Sequence, residues 1–285
     1  MPSTNYVCVN GQFLPEPEAR ISIFDRGFLY GDGVFETLRV YGGKLFRLPH
    51  HQLRLAAGLR LLRIEPPLSA PEIAAQLQEL IARNQIADGI ARIYITRGAA
   101  AFGLGTPRNA EPTTVVWAQP YVFEAGLAPW RAIYATLRLG TVHPLSDVKA
   151  ANRLPFILAK LEAEHAGVDE AVLLNGRHHV IECSASNLFA VAHGALHTPP
   201  ATEGALPGVT RGAVLELART LGIPTHENWF DREFLDAAEE IFATSSLIEI
   251  RPIIELDRRV IGAPTFARRL HEAYRDLVRK EIKGG

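Results

Sequence analysis

The turns of this chain limit its fold most tightly. Two β-rich runs, YVCV and QFL, flank Asn10-Gly11, a pair that accepts positive φ at both positions and so favours a type I′ hairpin turn. VFETLRVY and KLFRL flank Gly42-Gly43 in the same way, and EAVLLN and HHVIECS flank Gly176. Hairpins commit neighbouring strands to antiparallel pairing, whereas each parallel pair needs a long crossover. Mixed strands and helices with several hairpins therefore imply α+β or mixed α/β domains rather than a doubly wound parallel sheet.

Helical signals interleave with these strands. Residues 51–63, HQLRLAAGLRLLR, space their apolar side chains for one helical face. Ser69 and Glu72 form a capping-box pattern with Pro71 tolerated in the first turn, and the helix they begin runs to about Asn84. ARIYITRG and TTVVWAQPYV read as strands around a glycine-rich loop, GAAAFGLGTPRNAEP. PYVFEAGLAPW, punctuated by Pro120, Gly126 and Pro129, reads as a linker over 120–130. It separates a smaller N-terminal part, 1–119, from a larger C-terminal part, 131–285. The second part shows a strand near 132–138, a helix from about Leu154 to His165, the Gly176 hairpin and the strand NLFAV. Helices are expected over about 210–221 and 264–281, with strands near 226–229 and 239–244. A length of 285 residues suits two such domains, and no internal repeat is visible.

Bulk chemistry excludes several classes. The formal net charge is −1 with acids and bases intermixed, so no whole-molecule field attracts nucleic acid or an anionic membrane. The two cysteines, Cys8 and Cys183, form no CxxC or Cys/His cluster. A disulfide framework and a structural metal site are both disfavoured, and a reducing cytoplasm is expected. The N-terminus lacks the pattern of a signal peptide, and no apolar run approaches the ~20 residues that span a bilayer.

The reactive candidates begin with SDVKAANRLPFILAKLEA. Lys160 lies inside an amphipathic helix near Glu162 and Glu164 and reads as a solvated charge. Lys149 lies on the connector before that helix, where functional side chains are often presented. A lysine amine becomes nucleophilic when burial or nearby positive charge lowers its pKa. Other segments supply partners. VIECSASNLF places Glu182 ahead of a hydroxyl-rich stretch, and LPGVTRGAV starts a helix whose free amides can hold a phosphate. FATSSLIEIRPI ends a strand in hydroxyls, and RLPHHQLRL sets His51 and Arg54 three residues apart. Singly, each has an ordinary explanation: a hairpin surface charge, a common helix start, a strand end.

In order and spacing, DRGFLYGDGVFETLRVY, FRLPHHQLRL, VKAANRLPFILAKLEA, VIECSASNLFAV, LPGVTR and TSSLIEI resemble the pyridoxal 5'-phosphate enzymes of fold type IV, the class IV aminotransferases. That family holds branched-chain and D-amino-acid aminotransferases and 4-amino-4-deoxychorismate lyase, and the resemblance covers nearly the whole chain. It implies a two-domain mixed α/β fold, with a smaller N-terminal domain and a larger, barrel-like C-terminal domain that carries the Schiff-base lysine. Lys149 matches that lysine, which also moves the substrate's Cα proton. Glu182 matches the acid that pairs with the pyridine nitrogen, where an anionic carboxylate favours the protonated, electron-accepting ring. Arg54 matches the phosphate-binding arginine, with Val209, Thr210 and Ser246 completing the cup and Ser186, Asn187 and Ser245 beside the cofactor.

The resemblance further implies an amino acid and a 2-keto acid as substrates, a homodimer, and a loop near Tyr30 or Arg108 that reaches the partner's site. Branched-chain enzymes carry the equivalents of Tyr30, Phe35 and Arg39, all kept here, but Asn152-Arg153 replaces their usual Asn-Tyr. Ala110 stands where D-amino-acid enzymes carry a histidine in an Arg-x-His loop, although Arg108 is present. Arg39, Arg92, Arg97, Arg108 and Arg153 are candidates for the substrate carboxylate, with Arg153 or Arg39 expected to bind it and Leu247 beside the substrate. The expected activity is amino transfer with a branched-chain-like or D-amino acid. A carbon–carbon lyase giving 4-aminobenzoate and pyruvate is the alternative.

Overall fold

The computed structural model describes residues 5–105, 107, 110–124, 126–140 and 148–283. Contacts divide the chain into two units. The first runs to Val122 and also takes Val148–Asn152; the second comprises Phe123–Asp147 and Arg153–Lys283. A split at the 120–130 linker places Lys149 with the C-terminal part, whereas the contacts group it with the first unit.

The first unit contains β1 (Tyr6–Val9), β2 (Gln12–Pro15), α1 (Arg26–Tyr30), β3 (Gly33–Tyr41), β4 (Lys44–Leu45), α2 (Leu48–Leu62), α3 (Ala70–Arg83), β5 (Gly89–Thr96) and β6 (Thr113–Pro120). Its six strands form one antiparallel sheet in the order β2-β1-β6-β5-β3-β4. The first turn is as the sequence requires: Asn10 and Gly11 have φ of 49° and 83°, and Val9 pairs with Gln12 across a two-residue loop. Ser69 and Glu72 complete their capping box at α3. The run KLFRL departs from expectation. Only Lys44 and Leu45 pair, because Arg47 turns to φ 52° and the chain enters α2 at Leu48.

Strand alternation sorts the faces of this sheet. Val34, Leu38 and Val40 of β3 and Ala91, Ile93 and Ile95 of β5 pack against Leu55 and Leu59 of α2 and Leu77 and Leu80 of α3. Phe35 and Arg39 of β3, with Arg92 and Tyr94 of β5, therefore belong to the opposite face. Val148–Asn152 extends this sheet beside the start of β3. Phe35 N–H donates to the Lys149 carbonyl at 3.0 Å, and Ala151 N–H donates to the Gly33 carbonyl at 2.9 Å. Val148 and Ala150 join the core, so the same alternation turns Lys149 to the face that carries Phe35.

The second unit contains β7 (Trp130–Leu139), α4 (Leu154–His165), β8 (Glu170–Asn175), β9 (Val180–Cys183), β10 (Asn187–Ala192), β11 (Ala195–Thr198), α5 (Val209–Thr220), β12 (Thr225–Glu227), α6 (Arg232–Ala237), β13 (Glu240–Ser245), β14 (Glu249–Leu256), β15 (Arg259–Val260) and α7 (Thr265–Lys283). Its nine strands form a curled mixed sheet in the order β12-β11-β10-β13-β14-β7-β8-β9, with β15 on β14. Parallel pairing occurs at β11–β12, β14–β7 and β7–β8, where α4 supplies the crossover. One face packs Phe230 and Leu235 against Leu174, Leu188 and Ile241. Elsewhere Ala159 and Ala163 of α4 pack on Ala171 and Leu173.

Several elements have no counterpart in the sequence reading: α1, α6, β11, β14 and β15. In β14 the deterrent is Pro252, which cannot donate to a ladder. The strand tolerates it because β7 joins only from Ile253 onward, leaving Pro252 where β14 has β13 as its one neighbour. Among the described residues, no helix is long and apolar enough to cross a membrane.

Candidate active site

Glu36 breaks the pattern of β3. It sits at an inward position between Val34 and Leu38 and is fully buried, so its charge needs partners inside the core. Helix α2 supplies two of them one turn apart. Arg54 grips the carboxylate with both prongs, Nε to Oε1 and Nη2 to Oε2 at 2.7 Å each, and His51 Nδ1 lies 2.7 Å from Oε2. Burial alone would raise the Glu36 pKa. The charge and hydrogen bonds of Arg54, with those of His51, overcome it and hold the carboxyl at about 2. Burial lowers the pKa of His51; the Glu36 contact opposes that shift, and the positive charges of Arg54 and Lys149 add to it.

On the other face of the sheet, Lys149 Nζ lies 4.8 Å from the centroid of the Phe35 ring. Phe35 stacks on Tyr94 at 5.6 Å with 9° between the planes. The Arg92 guanidinium lies 4.3 Å from the Phe35 centroid and 5.7 Å from that of Tyr94. Burial pulls the Arg92 pKa down, and among the described residues this guanidinium has ring contacts but no carboxylate partner. An amine and a desolvated guanidinium thus lie within 5 Å of one aromatic ring. Arg39 is buried with its guanidinium 4.6 Å from the Tyr41 ring.

Arg97, another candidate for the substrate carboxylate, is engaged within the first unit. Its Nε and Nη2 bind Asp32 at 2.8 and 3.1 Å, and it donates to the carbonyls of Leu62 and Arg63 at the end of α2. Its donors are thus committed to tying α2 to Asp32, which Arg26 also binds at 2.8 Å. Tyr30 and Arg26 hold the glycine-rich loop: the Tyr30 hydroxyl accepts from Gly103 N–H at 3.1 Å, and Arg26 Nη1 donates to the Gly103 carbonyl at 2.8 Å. Arg108 lies outside the described residues. Arg153 stands before α4 in the second unit, 3.4 Å from the Phe156 ring centroid.

In the second unit Glu182 is buried in β9, unlike the surface charge of an exposed hairpin. Its Oε2 accepts from Leu206 N–H at 3.1 Å and from Asn187 Nδ2 at 3.3 Å, and Asn187 also donates to the Leu206 carbonyl at 2.7 Å. Two residues on, Gly208 precedes α5 and caps it with no side chain. Val209 and Thr210 therefore open a helix whose first amides meet no side-chain cap. Only glycine fits at 208, because a Cβ there would lie 1.9 Å from Asn187 Oδ1. Gly208→Ala is expected to push Asn187 off Glu182 and destabilise the fold by about 1–3 kcal/mol, as overpacking does; calorimetry of the variant beside its parent checks this.

Asn187 faces Thr244 across the β10–β13 ladder, and the buried Thr244 Oγ1 has no hydrogen-bond partner among the described residues. Ser245 ends β13, and Ser246 and Leu247 form the turn into β14. Ser186 Oγ donates to the buried Glu170 at 3.3 Å, as does Ser184 through a shorter bond. Glu182, Asn187, Gly208 and Thr244 are thus linked within one unit, while Ser186 is committed to Glu170. Neither Glu36 nor Glu170 was singled out from the sequence. For Glu36 the signal was present, a carboxylate at an inward position of an alternating strand.

Comparison with known proteins gives the family of the chain. The family described as amino-transferase class IV matches residues 33–256. A Methanocaldococcus jannaschii protein, assigned provisionally as a branched-chain-amino-acid aminotransferase, is 37% identical over 275 residues, covering 95% of this chain and 96% of that protein. A D-alanine aminotransferase of Staphylococcus haemolyticus is 30% identical over 261 residues, covering 90% of each chain. The solved branched-chain aminotransferase of Thermoproteus uzoniensis with norvaline superimposes with a TM-score of 0.91 at 32% identity, covering 97% of this chain and 95% of that one.

Proposed function

The chain belongs to the class IV aminotransferase family and is a pyridoxal-phosphate-dependent transaminase; from that premise we propose that it pairs a branched-chain-like amino acid with a carboxylate-bearing 2-keto acid, using Lys149. The residues present suit the cofactor. A buried carboxylate matches a pyridine nitrogen, a glycine-capped helix start matches a phosphate, and the Thr244 hydroxyl, without a partner among the described residues, offers a further donor. When bound, the cofactor supplies the electron sink that stabilises negative charge at the substrate Cα.

The chain's own side chains do the rest. Lys149 Nζ would hold the cofactor covalently and, once freed by the substrate amine, would take the proton from the substrate Cα and deliver it to the cofactor. Glu182, oriented by Leu206 and Asn187, would accept a hydrogen bond from the pyridine nitrogen. Arg54, held flat by Glu36, is assigned to the phosphate with Val209, Thr210, Ser245 and Ser246. Ser186 and Asn187 are assigned to the same cofactor. Tyr30, Phe35 and Leu247 are assigned to the substrate.

The single observation that carries the substrate reading is the ring shared by two cations. Lys149 and Arg92 both lie against Phe35, so an apolar side chain has an aromatic wall and a carboxylate has a cation close to the reacting amine. Arg92 is thus our first choice for the carboxylate, ahead of Arg39 and Arg153. Arg92→Leu is expected to raise KM about 10- to 100-fold for leucine and for the 2-keto acid alike, since both present the carboxylate whose charge-assisted contact is lost. An unchanged KM there, with a raised one in Arg153→Ala, would move the role to Arg153.

The activity itself is tested with L-leucine, D-alanine, (R)-1-phenylethylamine and aminodeoxychorismate. A transaminase shifts the visible cofactor absorbance with an amino donor alone; a carbon–carbon lyase instead releases pyruvate from aminodeoxychorismate. A homodimer is supported by the exposed apolar side chains Ile21, Ile23, Phe24 and Phe28, each at least half exposed, with Phe102 and Leu104. The two free buried cysteines suit the reducing cytoplasm.

A further inference from the structure

One charged side chain ties down the middle of the strap from Pro199 to Gly208, which carries both Leu206 and the glycine cap of α5. Glu203 ends the single 3-10 turn Ala201–Glu203 and is only 9% exposed. Its Oε2 lies 2.8 Å from His179 Nδ1 and accepts from Asn175 Nδ2 at 2.9 Å. Arg177 Nη1 stands 3.8 Å from Oε1. The His179 ring stacks on Trp229, with centroids 4.5 Å apart and 13° between planes. Asn175 organises both sides: it donates to the Glu203 carbonyl at 3.3 Å, and its Oδ1 accepts from Arg177 N–H and His179 N–H at 2.9 and 3.1 Å.

The two partners lead to the same carboxylate by different routes. His179 directly precedes β9, three residues before Glu182. Glu203 lies three residues before Leu206, whose N–H binds Glu182 Oε2 at 3.1 Å. Gly204, at φ 111°, makes the bend between them possible. The His179–Glu203 contact therefore closes a ring that runs from Glu182 along β9 to His179, across to Glu203, and back through Leu206. A buried carboxylate with partners on two separate segments keeps its orientation only while those segments keep their spacing.

We propose that Glu203 and His179 are positioning residues, whose part-buried contact holds the Pro199–Gly208 strap and, through Leu206, sets the Glu182 carboxylate to receive the pyridine nitrogen. This rests on the assignment of Glu182 made above. The cofactor-free full chain is titrated with pyridoxal phosphate, and amide hydrogen exchange at Leu206 is followed in the same samples. Glu203→Ala and His179→Ala are each expected to weaken cofactor binding on the order of 10-fold, the size usual for outer partners that orient a binding carboxylate. The double variant binds no more weakly than either single one, because both act through one contact.

Leu206 exchanges faster in all three. Glu203→Gln keeps an acceptor oxygen and the fold, so it loses less, about 5-fold, from the missing charge. Parental affinity and parental Leu206 exchange in folded Glu203→Ala, or in Glu203→Gln should the alanine variant not fold, would overturn the proposal and leave the pair a fold-stabilising contact. Glu182→Gln is titrated alongside. If it too binds with parental affinity, the assignment of Glu182 fails and takes the proposal with it; if it binds weakly while the Glu203 variants do not, only the proposal fails.

Discussion

Lys149→Ala is expected to reduce amino transfer about 10⁴-fold, since one amine serves as both nucleophile and proton carrier and nothing else on that face replaces it. The visible absorbance of the bound cofactor should be lost as well, because it depends on the Schiff base. The fold should survive. Val148 and Ala150 keep the segment in the core, and the bonds to Phe35 and Gly33 run through backbone atoms that the substitution leaves in place. Melting temperature should therefore stay near the parent's while activity disappears. Lys160→Ala supplies the contrast: its amine donates to the Asp169 carbonyl on the surface of the second unit, and activity should be unchanged. A visible band that persists in Lys149→Ala would sink the assignment.

Glu36→Leu should have the second-largest effect, and on stability. It leaves Arg54 and His51 facing an apolar group in the core, and removing one member of such a buried cluster costs about 3–5 kcal/mol. Arg54 also loses the support that fixes its plane, so cofactor affinity should fall with stability. Urea unfolding and cofactor titration check the two effects separately.

The same cluster sets an acid limit. Glu36 has a lower pKa folded than its usual 4.5, so its contribution is complete above 4.5 and lost as pH falls toward about 2. That window is worth roughly 3 kcal/mol. His51 is a base with a lowered pKa, so protonation favours the unfolded chain and stability begins to fall below its usual 6.5. Acid weakening should thus start with His51 and steepen below pH 4.5 with Glu36. Urea midpoints at pH 7, 5 and 3 would show it; in Glu36→Gln the lower step should vanish.

Local chemistry made much of this fold readable. Asn10-Gly11, Gly42-Gly43 and the Ser69–Glu72 capping box each determine geometry within a few residues, and each appears in the structure as expected. The α4 span from Leu154 to His165 likewise follows from its apolar content and flanking breaks. Strand β14 was missed because Pro252 argues locally against a ladder and is tolerated only through the register of its neighbours. The candidate site was legible where residue order carried it. Lys149, Glu182, Arg54 and the Gly208-Val209-Thr210 start stand out as an ordered set, whereas the five arginines near substrate do not differ along the chain.

What the sequence determined by itself is which residue types are available and how each strand and helix alternates. Period-two alternation already separates Phe35 from Val34 and Glu36 along β3, whereas the pairing of Val148–Asn152 beside β3, which turns Lys149 to the face of Phe35, was decided by packing. Tertiary structure decided what those side chains meet. It committed Arg97 to Asp32, set Arg92 against aromatic rings, buried Glu182 beneath Leu206, and bound Glu203 to His179 from 24 residues away. The physical reason is that a charge's role depends on its desolvation and on the partner brought to it. Partners distant along the chain are set only when sheets and helices pack.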